Sequence, residues 1–428
     1  MKKFISLLLC AALILTLAAC GAEPEPTQPP TQPIQDVELE MDRDLRPYLG
    51  VELTMVSMAS EDSPEAEVLR QAARFYEDTT GAVVEIRYLD HNEQALADEL
   101  AQGGKPDIFS AWIDDLEASY SGYALDLSSM AQTADYANCS HKVLRSQVVE
   151  RCGFLAGIPQ IPVLYGMYYN ADAFADAGIT NYPNTWEDFL TMSEKLTQKG
   201  YKPLTIDIEN SHLILELHLQ RHLGYDGFRD IMARAVWTHD VAYLNLFLLA
   251  IQYAEDGYLA KGDPTAFPGG QDKLALSNVA MVAGSNGLCG QVEESTMMDL
   301  NWGVFSYPGD GEGKGHGAES RTLSVHKDCE NPQAAFDFIM LLTRGEFDQL
   351  YADVTQGIPA DPANECSIEG ALKLLETADV RGFGLLTNED QELFSRLWNG
   401  WYKTPGYFAS AMNGLAKKYP AEAPEGVG

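Results

Sequence analysis

The chain predicts an α/β fold built around more than one hydrophobic core. Two observations carry this. Short runs of strand character alternate with segments whose apolar residues recur at helical spacing. About 380 residues remain once a distinct N-terminal leader is set aside, which exceeds what one core usually holds.

The elements follow in order. Val51 to Met58 reads as a first strand. Ser63 to Glu77 is helical, with Val68, Ala72 and Phe75 on one face and Gly81 as its stop. Val83 to Tyr88 is a second strand, Glu93 to Ala101 a helix stopped by Gly103 and Gly104, and Pro106 to Ser110 a third strand. This alternation predicts a mainly parallel sheet. The pattern restarts after Gly157. Tyr165 to Tyr169 is strand-like, and Thr185 to Lys199 is an amphipathic helix capped by Thr185 and ended by Gly200. Leu204 to Ile206, Asn278 to Val282 and Gly303 to Tyr307 read as strands. His212 to His222, Val241 to Tyr253, Pro332 to Leu342, Glu369 to Ala378 and Glu389 to Trp401 read as helices.

The N-terminus has a different character. Lys2 and Lys3 precede an apolar run from Phe4 to Ala19, which ends in small residues before Cys20. The run is short for a membrane span. It reads as a bacterial lipoprotein signal over residues 1–19, with Cys20 as the acylated residue; an ordinary cleaved signal is the alternative. Ala22 to Pro33, AEPEPTQPPTQP, has no large apolar residue and is rich in proline. Such a stretch cannot bury enough surface to fold, so residues 20–47 read as a lipidated cysteine with a disordered tether. The expected location is the extracytoplasmic face of the cell membrane.

Net charge is -34, and -36 without Lys2 and Lys3. This argues against nucleic acid and anionic lipid headgroups as direct partners. Of seven cysteines, Cys139, Cys152, Cys289, Cys329 and Cys366 lie beyond the leader and anchor. Their spacing fits no zinc pattern. Cys139 and Cys152 are the nearest pair for a disulfide; buried free thiols are the alternative.

Several segments carry a family likeness: Gly104-Lys105-Pro106-Asp107-Ile108, Gly157-Ile158-Pro159, Tyr165 to Asn170, Phe174, Ala177-Gly178 and Pro183 to Trp186. Ala280-Met281 with Gly284 to Gly287, Gly303 to Phe305 with Pro308-Gly309, Ala334 to Phe338, and Gly357 to Ala360 follow in order. Together they resemble family 1 extracellular solute-binding proteins, the sugar receptors of ABC importers of maltodextrin-binding type. The resemblance spans about residues 48 to 428. It implies a periplasmic-binding-protein-like fold of two α/β lobes with a ligand cleft between them. Crossovers then fall near Ile161, Ser320 and Ile358. The N-terminal lobe comprises 48–161 plus 320–358, and the C-terminal lobe 162–319 plus 359–428. It also implies a monomer that hands a small solute to membrane permease subunits, with no cofactor.

A sugar ring is held by aromatic stacking and by paired polar side chains. The resemblance therefore points to Trp112 and Asp115, or its neighbour Asp114, in the loop after the third strand. Ser60 and Glu61 follow the first strand, where the family contacts ligand; a helix cap is the alternative reading. Tyr165 stands at the first crossover. Asn210 and His212 follow the Leu204 strand, and Asn286 lies in the turn before Gly287. Trp302, Glu319, Arg321 and Phe383 complete the set. Leu288 and Cys289 stand where many sugar receptors carry a stacking tryptophan, which argues against a long oligosaccharide. Trp398 and Trp401 divide between core and surface.

No nucleophile elbow, H-E-x-x-H, P-loop or dinucleotide turn is present, so the chain does not read as an enzyme. A glycoside hydrolase with two facing carboxylates is the one enzymatic alternative. Gly309 to Gly317 reads as a mobile surface loop, with calcium binding as a lesser alternative. The chain is also compatible with a receptor for a cationic or peptide solute, and with a surface sensor or adhesin on the same fold.

Overall fold

The computed structural model describes residues 46–207, 210–234, 241–260, 267–311, 313–379 and 388–403. The leader, Cys20, the tether and Phe383 lie outside the described residues.

Eight strands form one mixed sheet. They are β1 (Glu52–Ser57), β2 (Val83–Tyr88), β3 (Ile108–Trp112), β4 (Ile158–Asn170), β5 (Lys202–Ile206), β6 (Val279–Ser285), β7 (Trp302–Phe305) and β8 (Gly317–Val325). Their order is β2-β1-β3-β8-β4-β6-β5, and β7 pairs with β4. Parallel pairs occur at the two flanks, β1 with β2 and β3, and β5 with β6. The centre is antiparallel: β8 against β3, and β4 against β8, β6 and β7. The expectation of a mainly parallel sheet is thereby corrected. The strand–helix alternation holds only at the flanks, whereas two long strands return through the middle.

Local chemistry explains the helices. Pro64–Thr80 starts on Ser63, whose side chain accepts from the Ala66 N–H at 3.2 Å, and stops at Gly81 with φ 82°. Trp186–Gln198 opens with a capping box between Thr185 and Asp188. Pro332 occupies the first turn of Pro332–Leu342, where its missing N–H costs nothing.

Two hydrophobic clusters hold these elements. The first contains Met55 of β1, Leu69 and Ala72 of helix Pro64–Thr80, Phe109 of β3, Ile158, Leu323 and Phe338. The second contains Leu164, Met167, Tyr168 and Tyr169 of β4, Phe189, Ile206, Met281, Phe305, Ala318 and Ile358. β4 and β8 each contribute to both. Ile158 and Leu323 serve the first, Leu164 and Ala318 the second. Between them Pro162 pairs with Ser320 and Ile161 with Arg321.

β4 begins at Ile158, well before the strand-like run from Tyr165 that its spacing predicts. Pro159 and Pro162 argue against a central strand. A register shift between Pro159 and Ile161 accommodates them within the ladder. β3 likewise runs on to Trp112, because β8 supplies partners as far as Arg321.

The glycine-rich loop differs from the mobile segment expected. Arg221, on helix Leu213–Ala233, donates to the carbonyls of Gly313 and Gly309 and to Asn184. A Cβ on Gly313 would lie 1.8 Å from the Gln220 carbonyl oxygen. Glycine is needed there so the loop backbone can lie against the helix. The five described cysteines are all free, and Cys289 is buried. Among the described residues no group of three His, Cys, Asp or Glu gathers as a metal site would, and no helix is long and apolar enough to cross a membrane.

Phe338 is fully buried, with its ring 5.2 Å from that of Tyr76. Phe338→Ala is expected to cost about 3–5 kcal/mol of unfolding free energy, read from urea denaturation.

Candidate functional site

The antiparallel crossing of β3, β8 and β4 positions a polar group where the two clusters meet. Trp112 ends β3, and its direct cross-strand partner on β8 is Arg321. The Arg321 guanidinium lies over the Trp112 ring, 4.5 Å from its centroid. Its Nη2 donates to Glu93 Oε1 at 2.9 Å. Glu93 sits in the first turn of helix Glu93–Ala101, which Asn92 caps through the Ala95 N–H. Trp112 is half-buried and belongs to neither hydrophobic cluster.

Beyond Trp112 the chain turns into a short helix carrying Asp114 and Asp115. Burial and the neighbouring Asp114 raise the Asp115 carboxyl above its ordinary range, against the pull of Arg321. Burial raises Glu93 as well. Asp114 pairs with Arg151 at 2.5 Å, and Arg151 also holds Glu117. On β8, Glu319 accepts a hydrogen bond from the Tyr165 hydroxyl of β4. Burial, with Asp114 nearby, pushes Glu319 up to about 7 although the Tyr165 bond opposes this. Tyr165 is itself held neutral by burial and by the Glu319 charge, with Glu216 adding to the effect. Glu216 is fully buried, and His212 Nε2 lies 3.9 Å from it. Burial lowers His212 to about 4, so it is neutral at physiological pH.

Of the residues expected from sequence, Trp112, Asp115, Tyr165, Glu319 and Arg321 therefore form one connected group, with His212 at its margin. Others are placed elsewhere. Ser60 donates to Asp90, and Glu61 is exposed, its carbonyl accepting from Arg70 at 2.9 Å. Asn210 donates through both its backbone N–H and side chain to Asp207. Asn286 is buried; it accepts from the Leu164 N–H at 2.8 Å and donates to the Pro162 carbonyl at 3.2 Å. Both of its polar groups thus tie β6 to the crossover of β4, so the ligand-contact reading is corrected to a structural one. Trp302 is corrected likewise, because it pairs with Asn170 and is buried in the second cluster. Phe383 lies outside the described residues, as do the side chains of Trp398 and Trp401.

Sequence reasoning missed Glu93, Arg151, Glu216 and Tyr351. Tyr351 feels the charges of Glu65 and Arg321 and so borders the Trp112 end of the group. Glu216 had one visible signal, a lone acid in the otherwise apolar run Leu213 to Leu217. A surface groove of about 510 Å³ lined by Phe75, Thr79, Leu341 and Arg344 shares no residue with this group.

The sequence matches the family described as bacterial extracellular solute-binding protein over residues 58–344. The chain belongs to this family. No curated protein matches the chain. Among solved structures, the receptor resembles apo RafE from Streptococcus pneumoniae at 19% identity and a TM-score of 0.68, over 86% of this chain and 96% of that one. It also resembles a binding protein, MsmE, of Bacillus subtilis in an open conformation, at 18% identity and a TM-score of 0.67, with the same coverage. A chitin oligosaccharide binding protein follows at 20% identity and a TM-score of 0.57, covering 86% of this chain and 98% of that one. At these identities the likeness speaks for the fold, the periplasmic-binding-protein-like α/β architecture. The family and these neighbours are binding proteins rather than enzymes.

Glu319 supplies a pH test. Its folded pKa is above the unfolded value, so the folded receptor holds the proton more tightly than the unfolded chain. Its contribution is fully present below the unfolded pKa and is lost as pH rises through about 7. Glu319→Gln should therefore be more stable than wild type at about pH 8, the difference closing towards about pH 4 in urea titrations.

Proposed function

We propose that the receptor captures a small neutral solute, a mono- or short oligosaccharide, and delivers it to ABC permease subunits from a lipid anchor on the extracytoplasmic face of the cell membrane. The observation that carries the sugar reading is Trp112, a half-buried indole outside both apolar clusters, with Arg321 over its ring and Asp114 and Asp115 directly after it in the chain. An aromatic face beside planar acceptors suits the apolar face and the hydroxyl equator of a sugar. A solved RafE in complex with raffinose and the chitin oligosaccharide binding protein agree by name with a carbohydrate. In this reading the residues around the two clusters act as lobes, 48–161 plus 320–358 and 162–319 plus 359–428, which close about Pro162 and Ser320. Trp112, Asp115, Tyr165 and Glu319 would contact ligand from within the connected group, and His212 from its margin. Ser60, Glu61, Asn210 and Phe383 stay as candidates. The receptor works as a monomer without cofactor.

Binding of a ligand to the folded state alone raises the melting temperature with ligand concentration. Raffinose, maltose, galactose and chitin oligosaccharides are therefore to be screened by thermal shift. At least one should stabilise the wild type, and Trp112→Ala should weaken that ligand by about tenfold or more. No response to any of them would overturn the sugar reading. The anchor is tested separately: Cys20→Ala should abolish labelling by a fatty-acid probe and release the receptor from the membrane fraction.

A further inference from the structure

We infer that Arg321, held by Glu93, is a positioning residue that fixes the Trp112 indole so that its opposite face serves as the stacking platform of the binding site. Three observations lead there. First, Trp112 and Arg321 are direct partners across the antiparallel β3–β8 pair, so their side chains leave the same face of the sheet. On its other side Arg321 pairs with Ile161 of β4, which pins its backbone from both directions. Second, the Arg321 side chain is only 8% exposed, and its guanidinium lies 4.5 Å from the indole centroid. A group so covered is poorly placed to meet a solute itself, and the sequence expectation of a direct ligand contact is revised accordingly. Third, its fork is held at one end alone. Nη2 donates to Glu93, whereas Arg321 Nε and Glu93 Oε2 are buried with no hydrogen-bond partner.

The indole ring and one carboxylate therefore define where this cation sits. The converse holds as well. A planar cation stacked on one face of an indole removes the rotamers in which the ring would swing over that space. Trp112 belongs to neither apolar cluster of the described residues, and its ring lies against this cation. Arginine is suited to the place because its charge survives burial, where a lysine ammonium would lose its proton or its hydration. Fixing the ring in advance lowers the ordering cost of ligand binding.

The ligand half of this inference rests on the solute-binding reading above; the indole half does not, and the experiment separates them. The receptor is labelled with 5-fluorotryptophan, and its six tryptophans give fluorine resonances. The Trp112 line is the one missing from Trp112→Phe. In Arg321→Gln and Glu93→Gln without ligand, that line should shift and broaden while the other lines stay in place. An unmoved Trp112 line in a folded variant overturns the positioning role. Should Arg321→Gln fail to fold, Glu93→Gln decides, since Glu93 is partly exposed at a helix start. Raffinose and a chitin trisaccharide are then titrated by tryptophan fluorescence. Glu93→Gln should bind the active sugar about tenfold more weakly. Unchanged affinity beside a moved line overturns the platform. A moved line with no binding of either sugar to the wild type upholds the positioning and counts against these sugars as solutes.

Discussion

The antiparallel pairing of β4 with β8 is the constraint on which the rest of the molecule depends. Each strand begins in one hydrophobic cluster and ends in the other. Their hydrogen-bond ladder runs from Ile158 opposite Leu323 to Tyr165 opposite Gly317. Backbone groups buried between two cores must be paired, and this ladder pairs them on both sides of the crossover. The ladder sets how the two cores are joined and which side chains gather at the join.

Asn286 shows how tightly this is enforced. Between Ile161 and Leu164 the chain carries a proline that cannot donate, and one amide side chain supplies a donor and an acceptor to the backbone there. A residue whose position invited a ligand role is thus needed to keep the crossover satisfied. The same economy governs Arg321, which sits one ladder position from Ser320 and reaches Trp112 and Glu93 together. The polar group is therefore an outgrowth of the crossing strands. Burial strips water from Glu93, Asp115 and Glu319 and pushes each upward, with neighbouring acids adding to it and Arg321 or Arg151 opposing it.

Legibility in the sequence followed the range of the interactions. Helices with local signals were placed closely: Ser63 and Gly81 bracket the first, Thr185 caps another, and Pro332–Leu342 has the bounds its apolar spacing gives. The central strands were less legible, since prolines at 159 and 162 mask a strand that distant partners nonetheless complete. The glycine-rich loop shows the same limit. Its composition says freedom, but its close approach to Arg221 requires glycine for contact. Trp302 looked available because it precedes a strand, and lateral pairing with Asn170 buries it.

The amino-acid sequence by itself determined the α/β class, the local starts and stops of helices, the acidic charge, and the nearness in the chain of Trp112 to Asp115. These rest on neighbours within a few residues, which spacing and capping record directly. Tertiary structure alone decided which polar side chains meet. Glu93, Trp112, Glu319 and Arg321 are separated by up to 228 residues and are joined by strand register. Register depends on backbone hydrogen bonds between distant segments, and every residue type except proline offers the same N–H and C=O to that ladder, so composition carries no trace of the pairing.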